Sequence, residues 1–172
     1  ALKSEEKSNL PILKSLESFI LCTLHRAENT DDPERLRNIV EALNETHKIT
    51  PIVLPLHPRT KGKIESLDLK LEVHLIDPVG YFDMIELLKN CSLVMTDSGG
   101  LQKEAYFFKK NCVTMRDQTE WVELIKNDVN ILVGADKNKI IDGVVNMLDH
   151  KSAFSKDLYG NGMACEKLVE LS

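Results

Sequence analysis

Leu93-Val-Met-Thr-Asp-Ser-Gly-Gly-Leu-Gln-Lys-Glu-Ala-Tyr-Phe-Phe108 passes from a short uncharged run, through a polar loop with two glycines, into a helical pattern. Leu93–Thr96 reads as a strand, Asp97-Ser-Gly-Gly100 as a tight loop, and the rest as a helix to about Phe108. The same unit recurs on both sides of it. Phe19-Ile-Leu-Cys-Thr-Leu24 is a near-continuous apolar run, as a strand buried on both faces requires. Pro33 suits the first turn of a following helix that Asp31 or Asp32 can cap, and Leu36, Ile39, Val40 and Leu43 keep helical spacing. Pro51–Leu56 and Val73–Ile76 are strands, with a short helix expected over about Lys61–Leu67 between them. A helix carrying Met84, Ile85, Leu87 and Leu88 follows the Asp77-Pro-Val-Gly turn, and Cys112–Met115 and Asn130–Val133 are two further strands before a helix over Ile140–Leu148.

Strand and helix alternating five or six times, with short connections, imply parallel strands and right-handed crossovers. The expected fold is an α/β doubly wound parallel sheet, Rossmann-like. Residues 1–151 form this domain, opened by a helix over 1–17 that Pro11 interrupts. Residues 152–172 stand apart and end in a helix striped by Met163, Ala164, Leu168, Val169 and Leu171.

Composition bounds the function. The 172 residues are 42% hydrophobic and 28% charged, enough for a core and a solvated surface, which excludes a disordered chain. Twenty-two basic against 27 acidic residues give a net charge of −5, so no basic field exists to hold nucleic acid. The apolar runs fall far short of the roughly 20 residues that span a bilayer, and the first residues lack a signal-peptide apolar region. Cys22, Cys91, Cys112 and Cys165 form no Cys-x-x-Cys pair and read as buried small hydrophobes of a reducing, cytoplasmic compartment. Neither a metal nor an organic cofactor is expected.

In an open parallel sheet, ligands bind beyond the carboxyl ends of the strands. That rule selects His25-Arg-Ala-Glu-Asn29, His57-Pro-Arg59, Asp77-Pro-Val-Gly-Tyr81, Asp97-Ser-Gly-Gly100 and Arg116-Asp-Gln-Thr-Glu120. Gly99 and Gly100 admit close backbone approach, the helix after them directs free N–H groups at the loop, and Ser98 adds a hydroxyl. Phosphate is the natural occupant, although an ordinary strand-to-helix turn would use the same residues. Glu104, one turn on, can accept hydrogen bonds from a ribose diol or be a solvated helix charge. His25 and His57 each allow two roles, loop capping or proton transfer and donation to phosphate. His47, His74 and His150 read as surface or packing residues.

Taken together, Thr23-Leu-His-Arg-Ala-Glu-Asn29, His57-Pro-Arg59, Asp77–Tyr81, Thr96-Asp-Ser-Gly-Gly-Leu-Gln-Lys-Glu-Ala105, Arg116–Glu120 and Tyr159-Gly-Asn-Gly-Met-Ala164 resemble the non-hydrolysing UDP-N-acetylglucosamine 2-epimerases in order and spacing. The resemblance implies a glycosyltransferase-B-like architecture of two facing domains, of which this chain resembles the C-terminal one. It implies an isomerase of nucleotide-sugar and polysaccharide biosynthesis, interconverting UDP-N-acetylglucosamine and UDP-N-acetylmannosamine, or a related UDP-2-acetamido pair. The reaction proceeds by anti elimination of UDP to a 2-acetamidoglucal and re-addition. It further implies UDP contacts at Ser98, Gly99, Gly100 and Glu104, a uracil pocket lined by Val79 and Met84, and a catalytic His25. Substrate contacts at Arg26, Arg116, Glu120 and Trp121 complete the set. Trp121 stands where many members carry a UDP-contacting arginine, a variant that resembles relatives acting on diacetamido uronates; Lys103, Lys109 and Asn111 also depart from the common pattern. The family's acid–base carboxylates lie on the missing N-terminal domain, so this chain alone is expected to hold UDP without turnover. The unpartnered terminal stripe points to a homodimer. Two other readings are the donor-binding domain of a glycosyltransferase and a non-catalytic nucleotide-binding module. The pairing of His25-Arg-Ala-Glu-Asn29 with Asp97-Ser-Gly-Gly-Leu-Gln102 favours the epimerase.

Overall fold

The computed structural model describes residues 10–152 and Phe154. In chain order the elements are α1 (Ile12–Ser15), β1 (Ile20–Thr23), α2 (Ala27–Thr30), α3 (Pro33–Ile49), β2 (Ile52–Pro55), α4 (Pro58–Ser66), β3 (His74–Ile76), α5 (Tyr81–Asn90), β4 (Leu93–Thr96), α6 (Gly99–Phe107), β5 (Cys112–Thr114), α7 (Val122–Lys126), β6 (Asn130–Leu132) and α8 (Lys137–Asp149). The strands form one sheet in the order β3-β2-β1-β4-β5-β6, every pair parallel. This is the doubly wound order in which the chain starts at the centre, winds to one edge, and returns to wind to the other.

Alternation within the strands feeds two cores. Ile20, Cys22, Ile52, Leu54, Leu93 and Met95 face α3 and α8, meeting Leu36, Ile39, Leu43, Ile140 and Val144. Phe19, Leu21, Val53 and Val94 face the opposite way, against Leu87, Leu88, Leu101 and Ala105 of α5 and α6. Burial on both faces is why these strands read as continuous apolar runs rather than alternating ones. Local chemistry sets the helix starts. The Asp32 carboxylate accepts from the N–H groups of Glu34 and Arg35, with Pro33 at the first helical position.

Three expectations need correction. The helix placed at Lys61 begins at Pro58, because His57 caps it: its Nδ1 accepts the Arg59 N–H at 3.2 Å. Two short helices, α2 and α7, occupy segments read as loops; four or five residues are too few to display a helical period. The last helix begins at Lys137 rather than Ile140, because Asp136 caps it and accepts the Lys139 N–H at 2.9 Å. Within the described residues, the N-terminal expectation reduces to α1, which starts immediately after Pro11. Residues 1–9 and nearly all of the 152–172 segment, with its striped helix, Cys165 and the Tyr159–Ala164 motif, lie outside the described residues. No helix among the described residues is long and apolar enough to cross a membrane.

Candidate functional site

β1 and β4 are adjacent, yet the connections leaving them run to opposite sides of the sheet, so a crevice opens at their carboxyl ends. Asp97, the residue after β4, ties the two sides together. Its side chain is wholly buried, and its carboxylate accepts from the backbone N–H groups of His25 (3.2 Å) and Arg26 (2.9 Å) and from Asn29 Nδ2 (3.2 Å). Arg26 Nε donates to the Asp97 carbonyl at 3.2 Å. Asn29 also donates to the Met115 carbonyl and accepts two bonds from the Arg35 guanidinium, so the loops after β1, β4 and β5 form one unit with α3. A buried carboxylate needs such donors, since an unpaired charge in the interior costs several kcal/mol.

His25 stands on this platform. Its ring is half exposed, with Nε2 3.9 Å from the Asp97 carboxylate. It lines a cleft of about 390 Å³ together with Thr23, His57, Arg59, Val79 and Met84. Val79 and Met84, from the turn after β3 and from α5, form its apolar wall. Thus the candidate uracil residues and the candidate catalytic histidine share one cavity. His57 sits at the same cleft, but its ring nitrogen is engaged in capping α4.

The glycine loop differs in detail from expectation. Both glycines belong to the first turn of α6 rather than to a loop, and neither has positive φ. Ser98 is the N-cap: its Oγ accepts the Leu101 N–H at 3.3 Å, and its own N–H donates to Thr96 Oγ1 at 2.8 Å. The N–H groups of Gly99 and Gly100 donate to no acceptor among the described residues, as expected of the first positions of a helix. A Cβ on Gly99 would meet the Glu120 carboxylate, the movable end of a flexible side chain, whereas at Gly100 the nearest neighbour is Ser98 Oγ at 3.9 Å. Glu104 lies one turn further along the same face. It is half buried, and burial pushes its carboxyl above the ordinary value, with no donor to that carboxylate among the described residues.

The β5 loop completes the rim. Arg116, largely buried, donates from Nη1 to Glu120 at 3.1 Å and has Glu28 3.7 Å from Nε. Trp121 turns its indole inward: Nε1 donates to the Gly99 carbonyl at 2.8 Å, and the Lys103 ammonium lies 4.8 Å above the ring. Lys103 and Trp121, two departures from the family pattern, are therefore one packed unit against the start of α6. Cys22, Cys91 and Cys112 are buried free thiols; burial raises all three, Cys91 to about 11 and Cys112 to about 12. They are packing residues, as read from the sequence. Asp97, Asn29 and Thr96 were not singled out from the sequence, because the bonds that join them across the crevice, Asp97 to His25, Arg26 and Asn29 and Thr96 to Thr23, span more than 60 residues and only the sheet order brings them together.

The family model described as UDP-N-acetylglucosamine 2-epimerase matches residues 2–171. The chain belongs to this family. Among curated members, it is 56% identical over 172 residues to the UDP-2,3-diacetamido-2,3-dideoxy-D-glucuronate 2-epimerase of Pseudomonas aeruginosa, covering 99% of this chain and 49% of that protein. It is 43% identical over 163 residues to the UDP-N-acetylglucosamine 2-epimerase of Methanocaldococcus jannaschii, covering 90% and 44%. The crystal structure of Methanocaldococcus jannaschii UDP-GlcNAc 2-epimerase in complex with UDP-GlcNAc and UDP superposes with a TM-score of 0.81 at 41% identity, over 93% of this chain and 46% of that one. A UDP-glucose:anthocyanidin 3-O-glucosyltransferase in complex with UDP shares the fold at a TM-score of 0.59 and 18% identity, over 98% and 40%. This family member thus has the glycosyltransferase-B-like Rossmann fold, and it spans about half the length of the curated relatives it matches.

Proposed function

We propose that the chain is the UDP-binding half of a sugar-nucleotide 2-epimerase, with the nucleotide lying across the β1/β4 crevice. The observation that carries this reading is the joining of the His25–Arg26 backbone and the start of α6 by one buried carboxylate, Asp97, at the switch point of the sheet. Uracil occupies the cleft of Val79 and Met84. The diphosphate rests on the free N–H groups of Gly99 and Gly100, where the helix dipole favours anions, and Ser98 Oγ, while capping α6, keeps its own proton to donate. Glu104, half buried and above its ordinary pKa, receives the ribose hydroxyls as hydrogen-bond donors.

In the reaction, a base on the facing domain removes the proton at sugar carbon 2, and the bond from carbon 1 to the diphosphate oxygen breaks. The electron pair leaves with UDP, giving the 2-acetamidoglucal. Protonation of carbon 2 from the other face and return of the UDP oxygen to carbon 1 complete the inversion. His25 faces the departing diphosphate and donates a proton to it, while Arg26 and Arg116 offset its charge. In this reading the chain forms one wall of the cleft, a facing domain forms the other, and the full protein is a cytoplasmic homodimer.

Among UDP-2-acetamido sugars, we favour a 2,3-diacetamido glucuronate over N-acetylglucosamine. Identity to the Pseudomonas aeruginosa relative exceeds that to the Methanocaldococcus jannaschii one, 56% against 43%, and Trp121 replaces the common arginine. Incubating the full-length protein with each UDP-sugar in heavy water, with no acceptor, tests both points. Proton NMR should show exchange and inversion at carbon 2, faster for the diacetamido uronate. Sugar transfer or hydrolysis without inversion would favour the glycosyltransferase reading.

A further inference from the structure

The Glu120 carboxylate lies against the Cα of Gly99, in the place a Cβ would take, directly over the first turn of α6. It is the group nearest to that position, and its Oε2 is bonded to Arg116 Nη1 at 3.1 Å. The two partners differ in environment: the Arg116 side chain is 12% exposed and that of Glu120 48%. Arg116 Nε is also buried with no hydrogen-bond acceptor. A guanidinium so placed needs anions, and the two beside it, Glu120 and the more distant Glu28, both sit on half-exposed side chains. Glu120 titrates below the usual carboxylate range, first through a bond from its own backbone N–H and then through Arg116 and Arg26, against the opposing effect of burial. It is therefore charged at neutral pH.

We propose that Glu120 is an intramolecular stand-in for the ligand's diphosphate, occupying the α6 N-terminus in the free protein and swinging out when a phosphate oxygen takes over Gly99 and Arg116. The inference rests on the diphosphate reading of this helix start. Both anions need the space over Gly99, so only one can be there. Displacing Glu120 is cheap: it is the far end of a flexible side chain, and an ion pair open to water on one side contributes only about 0–1 kcal/mol. The consequence is discrimination. A neutral nucleoside gains nothing by displacing the carboxylate, whereas a diphosphate exchanges one anion for another and acquires the vacant Arg116 Nε and two free N–H groups.

Titration calorimetry of UDP, uridine and inorganic pyrophosphate against the wild type, Glu120→Gln and Glu28→Gln tests this. Glu120→Gln keeps the shape and removes the competing charge. UDP and pyrophosphate affinity should rise roughly fivefold, about the worth of one exposed ion pair. Uridine should be unchanged, and Glu28→Gln, near Arg116 but away from Gly99, should have a smaller effect. Weaker or unchanged UDP binding in Glu120→Gln, with the wild type binding normally, would overturn the stand-in role and leave the UDP site intact. Failure of wild type and variant alike to bind UDP or pyrophosphate would overturn the diphosphate reading and this inference with it.

Discussion

Asp97 and His25 are neighbours in space with opposite burdens. Asp97 is wholly buried and holds three N–H donors from the β1 side of the crevice; His25 is half exposed and its ring makes no hydrogen bond among the described residues. Asp97→Ala should therefore cost about 3 kcal/mol in urea unfolding, since it strands several buried donors at roughly 1–3 kcal/mol each. His25→Ala should change unfolding by less than about 0.5 kcal/mol while lowering turnover of the full-length protein by roughly 10²-fold or more. The reverse pattern would make His25 structural. Ser98 carries both burdens at once. Ser98→Ala should lose about 1 kcal/mol of stability with the cap and about 1 kcal/mol of UDP affinity with the hydroxyl. Ser98→Asp, which keeps a cap acceptor for the Leu101 N–H but loses the hydroxyl donor, separates the two by restoring stability without restoring UDP affinity.

At the scale of elements, α8 lies close against the sheet beside β6, and a glycine permits it. A Cβ on Gly143 of α8 would meet Ile131 Cδ1 at 2.8 Å and Val133 Cγ1 at 2.9 Å. Gly143→Ala gains up to about 1 kcal/mol of helix propensity, but overpacking costs about 1–3 kcal/mol. A lowered melting temperature is expected; a raised one would mean that α8 can move outward. The join between α3 and β2 carries a pH dependence. His47 Nδ1 accepts the Ile52 N–H at 2.9 Å, and its ring packs edge-on against His74 at 5.0 Å. Burial first, then the charge of His74, holds His47 below its ordinary pKa, with Glu72 opposing. The unfolded chain takes up this proton near pH ~6.5, so between that value and the lower folded one the unfolded state binds more protons. Stability should fall as pH drops below about 6.5, and His47→Gln should flatten the fall in melting temperature between pH 7.5 and 5.5.

These elements also mark the limit of what a linear reading reaches. The inner strands were legible because two-sided burial leaves uncharged runs such as Ile20–Thr23 and Leu93–Thr96, whereas the edge strand β3 is exposed or half-buried throughout; α3 was legible because Asp32 and Pro33 announce it. α4 starts three residues before the expected Lys61 because Pro58 takes the first helical position and His57 caps it, and Pro58-Arg-Thr60 shows too little apolar periodicity to announce a helix. The loops that carry His25, Ser98, Arg116 and Glu120 were selected by one rule about strand ends, and the sheet gathers them at one rim. What escaped was every relation between loops: Asp97 beneath His25, Glu120 against Gly99, Trp121 on the Gly99 carbonyl. No spacing encodes these, because each depends on which strands become neighbours.

For the whole molecule, the sheet order fixes where the rim loops meet, and in the proposed function this chain, about half the length of its curated relatives, supplies one wall of the reacting cleft. The claim on which the rest depends is that UDP spans the β1/β4 crevice, from Met84 and Val79 to the first turn of α6. Amide chemical-shift mapping of UDP added to the protein tests it most directly. Saturable shifts confined to His25–Arg26, Val79–Met84, Ser98–Glu104, Arg116 and Glu120 are predicted. A concavity of about 520 Å³ lined by Arg35, Asp117, Gly134, Asp136 and Lys139 should remain silent beyond its shared rim residue Arg116. Saturable shifts centred on Gly134–Lys139, with Gly99 and Gly100 unmoved, would contradict the account.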